Sequence, residues 1–233
     1  MKNVGSMQNQ GLELTLNTQN IVTPDFNWSS SFNISFNENE ITQLADGQQN
    51  LQSIIKWDST WQNTPAYIAE VGQPIGLMYG YISEGTYKYA DFNQDASGNY
   101  TTLKTEVPTN GNTRANIRPG DSKYKDINGD GVVNASDYTV IGHGLPKHTG
   151  GFSNNFTYKG FDLNVFFQWS YGNDLLNANR AMFQETGPNN VNKFAAYNDR
   201  WTPENPDSDM PRARGYFGGG YNSQWVEDGS YSR

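Results

Sequence analysis

Residue classes that mark several common kinds of protein are absent or scarce in this chain of 233 residues. Without cysteine it can form neither disulfides nor thiolate metal sites. The absence of cysteine is compatible with both an oxidising and a reducing compartment. No run of about 18 apolar residues exists, which excludes a membrane-spanning helix, and we expect no signal peptide because MKNVGSMQNQ lacks an apolar segment. The 16 Lys and Arg residues form no cluster, and the net charge of −8 weighs against binding to nucleic acid or anionic lipid.

The abundant residues favour an all-β fold. Aromatic residues make up 14% of the chain, and Gly, Asn and Ser are frequent, whereas helical proteins are rich in Glu, Lys and Leu. In FNWSSSFNISFN, residues 26–37, one face is almost wholly apolar and the other is Asn and Ser. A period of two predicts strands with two chemically different faces. The predicted strands lie near 11–20, 26–37, 151–159 and 161–172.

The predicted strands form two hairpins with very unequal connections. Short turns close the hairpins near Asp25 and Gly160, whereas residues 38–150 and 173–224 are predicted to be long, irregular external loops. Short turns on one side and long loops on the other are typical of outer-membrane β-barrels, and such loops are rare in compact soluble domains. An antiparallel sandwich also alternates apolar and polar residues. Strands of about 10 to 12 residues with bulky aromatics on one face favour the membrane barrel.

The stretch DINGDGVVNASD, residues 126–137, has the spacing of an EF-hand-like or dockerin-like calcium loop. Such a loop supplies oxygen ligands from positions 1, 3, 5, 7, 9 and 12 and has Gly at position 6, here Gly131. The twelfth residue is Asp where the usual pattern has Glu, and an Asn/Asp/Gly-rich turn without an ion is the alternative. The predicted ligands of a Ca²⁺ ion are Asp126, Asn128, Asp130, Val132, Asn134 and Asp137.

Four separated stretches resemble a known family when taken in order. They are VGSMQNQGLELTLNTQNI near the start, EVGQPIGLMYGYISEGTY at 70–87, PGDSKYKDINGDGVVNASDYTVIGHGLPKHTGGFSNNFTYKGFDLNVFFQWSYGNDLLN at 119–177, and WVEDGSY at 225–231. These motifs are similar to the C-terminal part of SusC/RagA-type TonB-dependent outer-membrane transporters. The resemblance extends over nearly the whole chain and is least distinctive at 90–118 and 178–224.

The resemblance implies a fold and a function. Members of that family are barrels of about 22 strands with a plugged lumen in the outer membrane of Gram-negative bacteria. They import glycan or peptide oligomers, draw energy through the TonB complex, and work with a SusD-like surface lipoprotein. Residues 1–233 are then expected to be a fragment with four strands and the start of a fifth. The plug and the TonB-contacting segment are expected to lie outside this chain.

Aromatic residues in the predicted loops are candidates for contact with a substrate or partner, because their faces stack on sugar rings and peptide side chains. Packing within the loops and contact with the lipoprotein explain them equally well. The resemblance also implies that segment 70–87 folds back toward the lumen. The candidate contact residues are Trp57, Trp61, Tyr79, Tyr81 and Trp201.

No catalytic motif accompanies these features, so the chain is not predicted to be an enzyme. His143 and His148 have no neighbouring nucleophile and no third ligand at zinc spacing. The alternative function is a soluble, calcium-stabilised carbohydrate-binding or adhesion β-domain, in which the apolar strand faces would meet each other. In either case the Ca²⁺ ion is expected to be structural, since it would tie several loop oxygens into one rigid unit.

Overall fold

The computed structural model describes residues 5–55, 64–185, 192–213 and 220–233, and strands dominate it, which confirms the all-β prediction. None of the helical segments among these residues has the length and apolar character that a membrane crossing requires. In chain order the strands are β1 (Gly5–Val22), β2 (Phe26–Leu44), β3 (Asn50–Ile54), β4 (Pro65–Glu70), β5 (Leu77–Gly80), β6 (Ser83–Thr86), β7 (Phe92–Gln94), β8 (Tyr100–Leu103), β9 (Ser122–Tyr124), β10 (Thr139–His143), β11 (His148–Tyr158), β12 (Phe161–Tyr171), β13 (Asp174–Leu176), β14 (Val226–Asp228) and β15 (Tyr231–Ser232). The helical segments are α1 (Ala178–Arg180), a π-helical turn (Ala181–Glu185), and 3₁₀ turns at Ala45–Gly47, Tyr89–Asp91, Arg114–Asn116, Ala135–Asp137, Ala195–Asp199 and Ser223–Trp225.

The main sheet has the spatial order β1-β2-β11-β12-β15, and all its neighbours are antiparallel. Its two short connections lie at one end of the sheet. Lys159 and Gly160 join β11 to β12 with φ angles of 45° and 89°, which fits a two-residue type I′ hairpin turn. At the other end, residues 45–147 form the first long loop, between β2 and β11, and residues 172–230 form the second long loop, between β12 and β15.

The register between strands gathers the apolar positions onto one face of the main sheet. Phe32 on β2 lies opposite Phe152 on β11, which in turn lies opposite Phe167 on β12. Many of these side chains are exposed to an extent unusual for a water-soluble monomer, with 68% of Leu12 and 79% of Phe161 accessible. The apolar face carries Leu12, Leu14, Leu16, Phe26, Trp28, Phe32, Ile34, Phe36, Phe152, Phe156, Tyr158, Phe161, Leu163, Val165, Phe167, Trp169 and Tyr171.

One buried polar side chain on the apolar face has hydrogen-bond partners within the sheet. Asn154 is buried, and its Oδ1 accepts hydrogen bonds from Trp28 Nε1 at 2.9 Å and from Ser30 Oγ at 2.7 Å. Asn20 Nδ2 donates to Ser30 Oγ at 2.6 Å, so the network extends onto β1. Because a buried polar group without a partner is costly, these bonds let Asn154 occupy an otherwise apolar surface.

The first two strands extend beyond their predicted limits of 11–20 and 26–37. Their pairing continues to Gly5 opposite Leu44, although residues 5–10 and 38–43 are mostly polar on both faces. Alternation gives no signal in such a segment, because the backbone ladder forms regardless of side-chain polarity. The first hairpin therefore rises well past the point where β11 begins.

The sequence predicted two long, irregular loops, but the structure has short strands in both. Strands of the first long loop form a sheet of order β10-β5-β4-β3 and two small pairs, β6 with β9 and β7 with β8. β13 and β14 pair within the second long loop. The loops have apolar cores of their own, since Tyr87, Leu103 and Ile117 are almost completely buried in one cluster. Short strands with Gly-rich turns lack the periodic signal that makes longer strands readable.

We predict that the sheet tolerates an added methyl group at Gly151 but not at Gly150. A Cβ on Gly150 would collide with the Trp169 ring and the Asn33 carbonyl oxygen, whereas at Gly151 the nearest atoms belong to side chains, at 3.2 Å or more. Gly150→Ala is expected to lower the free energy of unfolding by about 1–3 kcal/mol and Gly151→Ala by much less. Denaturant unfolding of the intact protein, followed by tryptophan fluorescence, compares the two variants, and equal losses would contradict the register.

Candidate functional site

Residues 126–137 fold into a compact loop held by its own carboxylate and amide side chains. Asp126 accepts backbone N–H bonds from Gly129 and Gly131, each at 2.7 Å. Asn128 Oδ1 accepts from the Asp130 N–H at 2.9 Å, and Asp130 Oδ1 accepts from the Val132 N–H at 2.8 Å. Gly129 and Gly131 have φ angles of 76° and 84°, a region in which glycine is unstrained. The sequence therefore turns sharply at the positions where an EF-hand-like loop turns.

Asp137 closes this loop at its C-terminal end. It is the last residue of the 3₁₀ turn Ala135–Asp137, is completely buried, and accepts N–H bonds from Ile127 at 2.9 Å and from Asn134 at 2.8 Å. Asp137 thus reaches both halves of the loop.

The described residues supply no cationic partner for the negative charge of this loop. Within the described ranges, no Lys or Arg forms an ion pair with Asp126, Asp130 or Asp137. Nor do any three His, Asp or Glu side chains of the described residues form a metal-binding group by themselves. Any ion in the loop would therefore also need amide and carbonyl oxygens, such as those of Asn128 and Val132. Hard cations such as Ca²⁺ accept this mixed set of oxygens.

A cluster of tyrosines lies directly against the loop. Val133 is buried with Tyr81 and Tyr124, and Tyr138 packs against them. The Tyr81 ring lies 5.0 Å from that of Tyr124 and 4.4 Å from that of Tyr138, measured between centroids. Burial raises the pKa of the Tyr81 phenol well above its ordinary value, and its hydrogen bond with Tyr138 acts in the same direction. The Tyr81 phenol therefore stays neutral and serves packing and hydrogen bonding.

The tyrosine cluster also meets the second long loop. Tyr81 N–H donates to the Tyr221 carbonyl at 2.8 Å, and Ser223 N–H donates to the Tyr81 carbonyl at 2.9 Å. Tyr221 and Trp225 are completely buried and pack edge to face at 6.1 Å. Only the tyrosine cluster separates residues 126–138 from the second long loop. A structural change in those residues can therefore be transmitted to the second long loop through this cluster.

The candidate contact residues fall into different environments. Trp57 and Trp61 lie outside the described residues. Tyr79 is half-buried and keeps part of its ring accessible. Tyr81 and Trp201 are only 4% and 7% exposed, with their rings packed inside the loops, and direct contact through either one stays a prediction. Of the described candidates, Tyr79 is the one with a surface left for a substrate or partner.

A second connection between the loops, which we call the loop clasp, joins residues 86–88 and 120–121 to residues 208–212. Arg212 Nε donates to Asp121 Oδ1 at 2.7 Å, and Arg212 N–H donates to the Gly120 carbonyl at 2.8 Å. The Lys88 ammonium and the Thr86 hydroxyl donate to the Ser208 carbonyl at 2.8 Å and 2.7 Å. Sequence reasoning missed this clasp, because its partners are 91 to 122 residues apart and no motif marks them.

Asp121 is the buried charge of the clasp. Burial raises the pKa of its carboxyl group, whereas the Arg212 guanidinium and the Arg118 N–H act against this rise. Of the described pairs, Lys88 with Asp209 is the more superficial, since the Asp209 side chain is 74% exposed. Exposed pairs of this kind contribute little to stability. The clasp therefore depends mainly on Arg212 and Asp121.

We predict that Arg212→Ala loosens the clasp and that Asp209→Asn, the matched control, does not. Losing a hydrogen bond to a charged group costs about 1–3 kcal/mol, so residues 199–213 should become more sensitive to protease at pH 8. Without Arg212 the buried Asp121 carboxyl takes up a proton more readily. Because its pKa in the folded protein is raised, the defect should shrink as the pH falls toward 5. Equal proteolysis of both variants at both pH values would contradict this account.

No known family model matches the chain, but curated proteins do. It is 37% identical over 235 residues to TonB-dependent receptor P26 of Formosa agariphila, covering 100% of this chain and 22% of that protein. TonB-dependent receptor P3 of the same organism is 32% identical over 233 residues, covering 100% of this chain and 21% of that protein. TonB-dependent receptor SusC of Bacteroides thetaiotaomicron is 27% identical over 174 residues, covering 74% of this chain and 15% of that protein.

Solved structures agree in fold. The structure of the RagAB peptide transporter matches with a TM-score of 0.69 and 23% identity, covering 100% of this chain and 22% of that one. The chain spans about a fifth of the length of the curated receptors that it matches. Both kinds of likeness run along its whole length and agree with the motifs in its sequence, so the chain belongs to the SusC/RagA-type TonB-dependent receptors, of which it forms one segment.

Proposed function

We propose that this chain is part of the wall and external loops of a TonB-dependent importer in the outer membrane of Gram-negative bacteria. The observation that carries the proposal is the continuous, exposed apolar face of the main sheet, which has an aromatic group at each end. We assign this face to lipid and the opposite, polar face to the lumen of a β-barrel. In a soluble domain such a face would be covered by a second layer, which makes the alternative of a soluble carbohydrate-binding or adhesion module less favourable.

The aromatic group at the short-turn end, the turn-side girdle, consists of Phe26, Trp28, Phe156 and Tyr158. Its rings contact one another across β2 and β11, with centroids 5.7 Å apart for Trp28 and Phe156 and 6.5 Å apart for Phe26 and Tyr158. Rings that combine apolar surface with a polar group are enriched at membrane interfaces. This girdle would mark the periplasmic boundary of the lipid.

The aromatic group at the opposite end, the loop-side girdle, consists of Phe36, His148, Trp169 and Tyr171. His148 stacks on Tyr171 at 5.1 Å and lies 5.5 Å from Phe36, and Trp169 Nε1 donates to His148 Nδ1 at 3.1 Å. β12 crosses from one girdle to the other in 11 residues. Such a strand spans about 33 Å, which at a tilt of about 40° is the height of about 25 Å typical of outer-membrane barrels.

The polar face supports an aqueous lumen. On β11 and β12 it carries Ser153, Asn155 and Asn164, and Asn164 Nδ2 donates to Ser153 Oγ at 3.1 Å. Phe166 is the apolar exception and is 53% exposed. We propose that glycan or peptide oligomers pass on this side. A SusD-like surface lipoprotein would act as partner on the loops, and the TonB complex would act through a part of the receptor other than this segment.

The relatives support this at the level of the family. Curated relatives are named TonB-dependent receptors, which agrees with the expectation that the chain is not an enzyme. One structural neighbour is described as a peptide transporter. At 23% identity, however, this likeness shows a shared fold and not a shared substrate. The nature of the imported oligomer therefore stays open between glycan and peptide.

We also propose that Ca²⁺ binds residues 126–137 and has a structural role. Asp126, Asn128, Asp130 and Asp137 would supply side-chain oxygens and Val132 a backbone carbonyl, with Asn134 acting through water. The support is the charge of three carboxylates, one of them completely buried, with which no Lys or Arg of the described ranges forms an ion pair. The ion would stiffen the loop against Val133 and the tyrosine cluster, and thereby fix both long loops where they leave the sheet.

The lipid assignment predicts opposite outcomes for two adjacent phenylalanines. Phe167→Arg places a charge on the apolar face near mid-sheet and is expected to cost about 2–4 kcal/mol in a bilayer. Phe166→Arg, the matched control, faces the lumen and should cost much less. The folded fraction of the full-length receptor in outer membranes, measured by heat-modified mobility on gels, compares them. A larger loss for Phe166→Arg would mean that the faces are reversed.

The calcium proposal predicts local loosening without loss of the barrel. Asp126→Ala with Asp130→Ala in the full-length receptor should make residues 120–140 sensitive to protease, and Ca²⁺ should no longer protect them. Asp95→Ala is the matched control, because Asp95 closes an Asx turn elsewhere in the first long loop, with Ser97 and Asn99 N–H donors at 2.9 Å and 2.8 Å. The idea fails if protease resistance of the unaltered receptor is the same with Ca²⁺ and with a chelator.

A further inference from the structure

A short segment of the second long loop lies across the tyrosine cluster of the first. We call this segment, residues 220–223, the strap. Its Tyr221 carbonyl accepts the Tyr81 N–H at 2.8 Å, and the Tyr81 carbonyl accepts the Ser223 N–H at 2.9 Å, in the manner of a parallel strand pair. Ser223 Oγ also accepts the Ser83 N–H at 3.0 Å. The strap is therefore docked on the first long loop through backbone groups.

Gly220 brings the strap into direct contact with two tyrosine side chains. A Cβ at this position would come within 2.6 Å of the Tyr81 ring and within 2.7 Å of the Tyr138 hydroxyl group. Gly80 makes room for the strap in the same way, since a Cβ there would overlap the Tyr221 carbonyl oxygen. Because this fit leaves no space for a methyl group, docking of the strap requires Tyr81 and Tyr138 to keep their positions.

The position of Tyr138 depends on residues 126–137. Tyr138 directly follows Asp137, the buried carboxylate that closes this loop. The Tyr138 side chain is hydrogen-bonded to that of Tyr81, with ring centroids 4.4 Å apart, and Val133 of the same loop is buried in the same cluster. A displacement of Asp137 would therefore move the tyrosine on which the strap rests.

The loop has no counter-charge of its own to keep Asp137 in place. Within the described ranges, no Lys or Arg forms an ion pair with Asp126, Asp130 or Asp137. Like charges carried by one short loop repel one another, which favours looser conformations of that loop. A bound cation would remove the repulsion and hold Asp137, and with it Tyr138, in the position that the strap requires.

We propose that binding of Ca²⁺ to residues 126–137 controls the docking of the strap, an inference that rests on the calcium site in the proposed function. With the ion bound, Tyr81 and Tyr138 present a fixed surface to Gly220, and the strap stays docked. With the ion removed, the strap is released and uncovers the Tyr81 ring, which is 4% accessible in the docked arrangement. Extracellular modules bind Ca²⁺ with a Kd of about 0.1–1 mM, so an external loop of this kind responds to external calcium.

Thermodynamic linkage makes this control reciprocal. If Ca²⁺ strengthens docking of the strap by some factor, the docked strap strengthens Ca²⁺ binding by the same factor. Coupling between two sites is commonly about 5- to 150-fold, and we expect about tenfold here because few hydrogen bonds hold the strap. Displacing the strap should therefore weaken Ca²⁺ binding, although the strap contains none of the predicted ligands.

The first test measures hydrogen–deuterium exchange of the full-length receptor in Ca²⁺ and in a chelator. Exchange of the Tyr81 and Ser223 N–H groups is expected to become about tenfold faster in the chelator, because both groups donate to backbone carbonyls across the docked strap. Peptides from residues 152–167 of the main sheet are the internal control and should exchange equally under both conditions.

The second test uses two variants that displace the strap without changing residues 126–137. Gly220→Ala introduces the overlap with the tyrosine side chains, and Ser223→Ala removes one hydrogen bond to the first long loop. Gly220→Ala is expected to weaken Ca²⁺ binding about tenfold, measured by competition with a chelating dye, and Ser223→Ala to weaken it less. Arg212→Ala is the matched control, because it loosens the same loop at the clasp and should leave the Ca²⁺ affinity unchanged. Heat-modified gel mobility establishes that each variant is folded.

Three results would overturn the proposal and leave the calcium site standing. One is protection of residues 120–140 by Ca²⁺ while exchange in the strap is the same in Ca²⁺ and in the chelator. Another is an unchanged Ca²⁺ affinity in Gly220→Ala, and the third is an equal loss of affinity in Arg212→Ala. If Ca²⁺ neither binds to the unaltered receptor nor protects residues 120–140, the calcium part of the proposed function fails, and this inference fails with it.

Discussion

The antiparallel pairing of β2 with β11 is the interaction on which the rest of the structure depends. It joins two segments separated by the whole first long loop, in a register that sets Phe32 opposite Phe152 and Trp28 opposite Phe156. Because side chains alternate with a period of two, a shift of one residue would set the Asn and Ser residues of one strand beside the aromatics of the other. Gly150 and Asn154 reinforce this register, Gly150 by admitting the Trp169 ring and Asn154 by its bonds to β2.

The same pairing fixes both ends of the first long loop, which then organises itself and its neighbour. With its ends on adjacent strands, the loop builds three small sheets and separate buried clusters. The contacts that hold the second long loop to it include the Tyr81 to Tyr221 backbone bond, the Arg212 to Asp121 pair and the His143 to Asp174 bond. One buried cluster draws on both loops, since Ala66 of the first packs with Tyr221 and Trp225 of the second.

The features that could be predicted from the sequence are those formed by residues close to one another along the chain. The strands at 26–37 and 161–172 were readable because each carries its own alternation. The turn at residues 126–137 was readable because its bonds join residues two to ten positions apart. Residues 5–10 and 38–43 pair through the backbone alone and left no pattern. The burial of Tyr81 and Trp201 depends on partners far along the chain, Tyr221 for Tyr81 and Tyr89 for Trp201. No local pattern encodes such a contact.

Aromatic residues illustrate this limit, because the same side chains serve two different surroundings. In the loops, Tyr87, Tyr221 and Trp225 are completely buried, as expected where water surrounds a small core. On the main sheet, Phe161, Phe167 and Tyr171 are 79%, 52% and 53% exposed. Burial stabilises a fold by about 25 cal/mol per Å² of apolar surface removed from water, and a face left exposed in water would contribute none of this.

The outward-facing residues of the first hairpin therefore suit two different surroundings, one apolar and one aqueous. The change from one to the other lies at the loop-side girdle. Below it the strands turn aromatics and leucines outward, and above it the same outward positions carry Gln8, Gln10, Glu38 and Glu40. The change occurs within one pair of residues, from Leu12 and Phe36 to Gln10 and Glu38, while the backbone ladder continues unbroken. A uniform environment gives no reason for such a step in polarity along a continuous hairpin, whereas the edge of a lipid layer does.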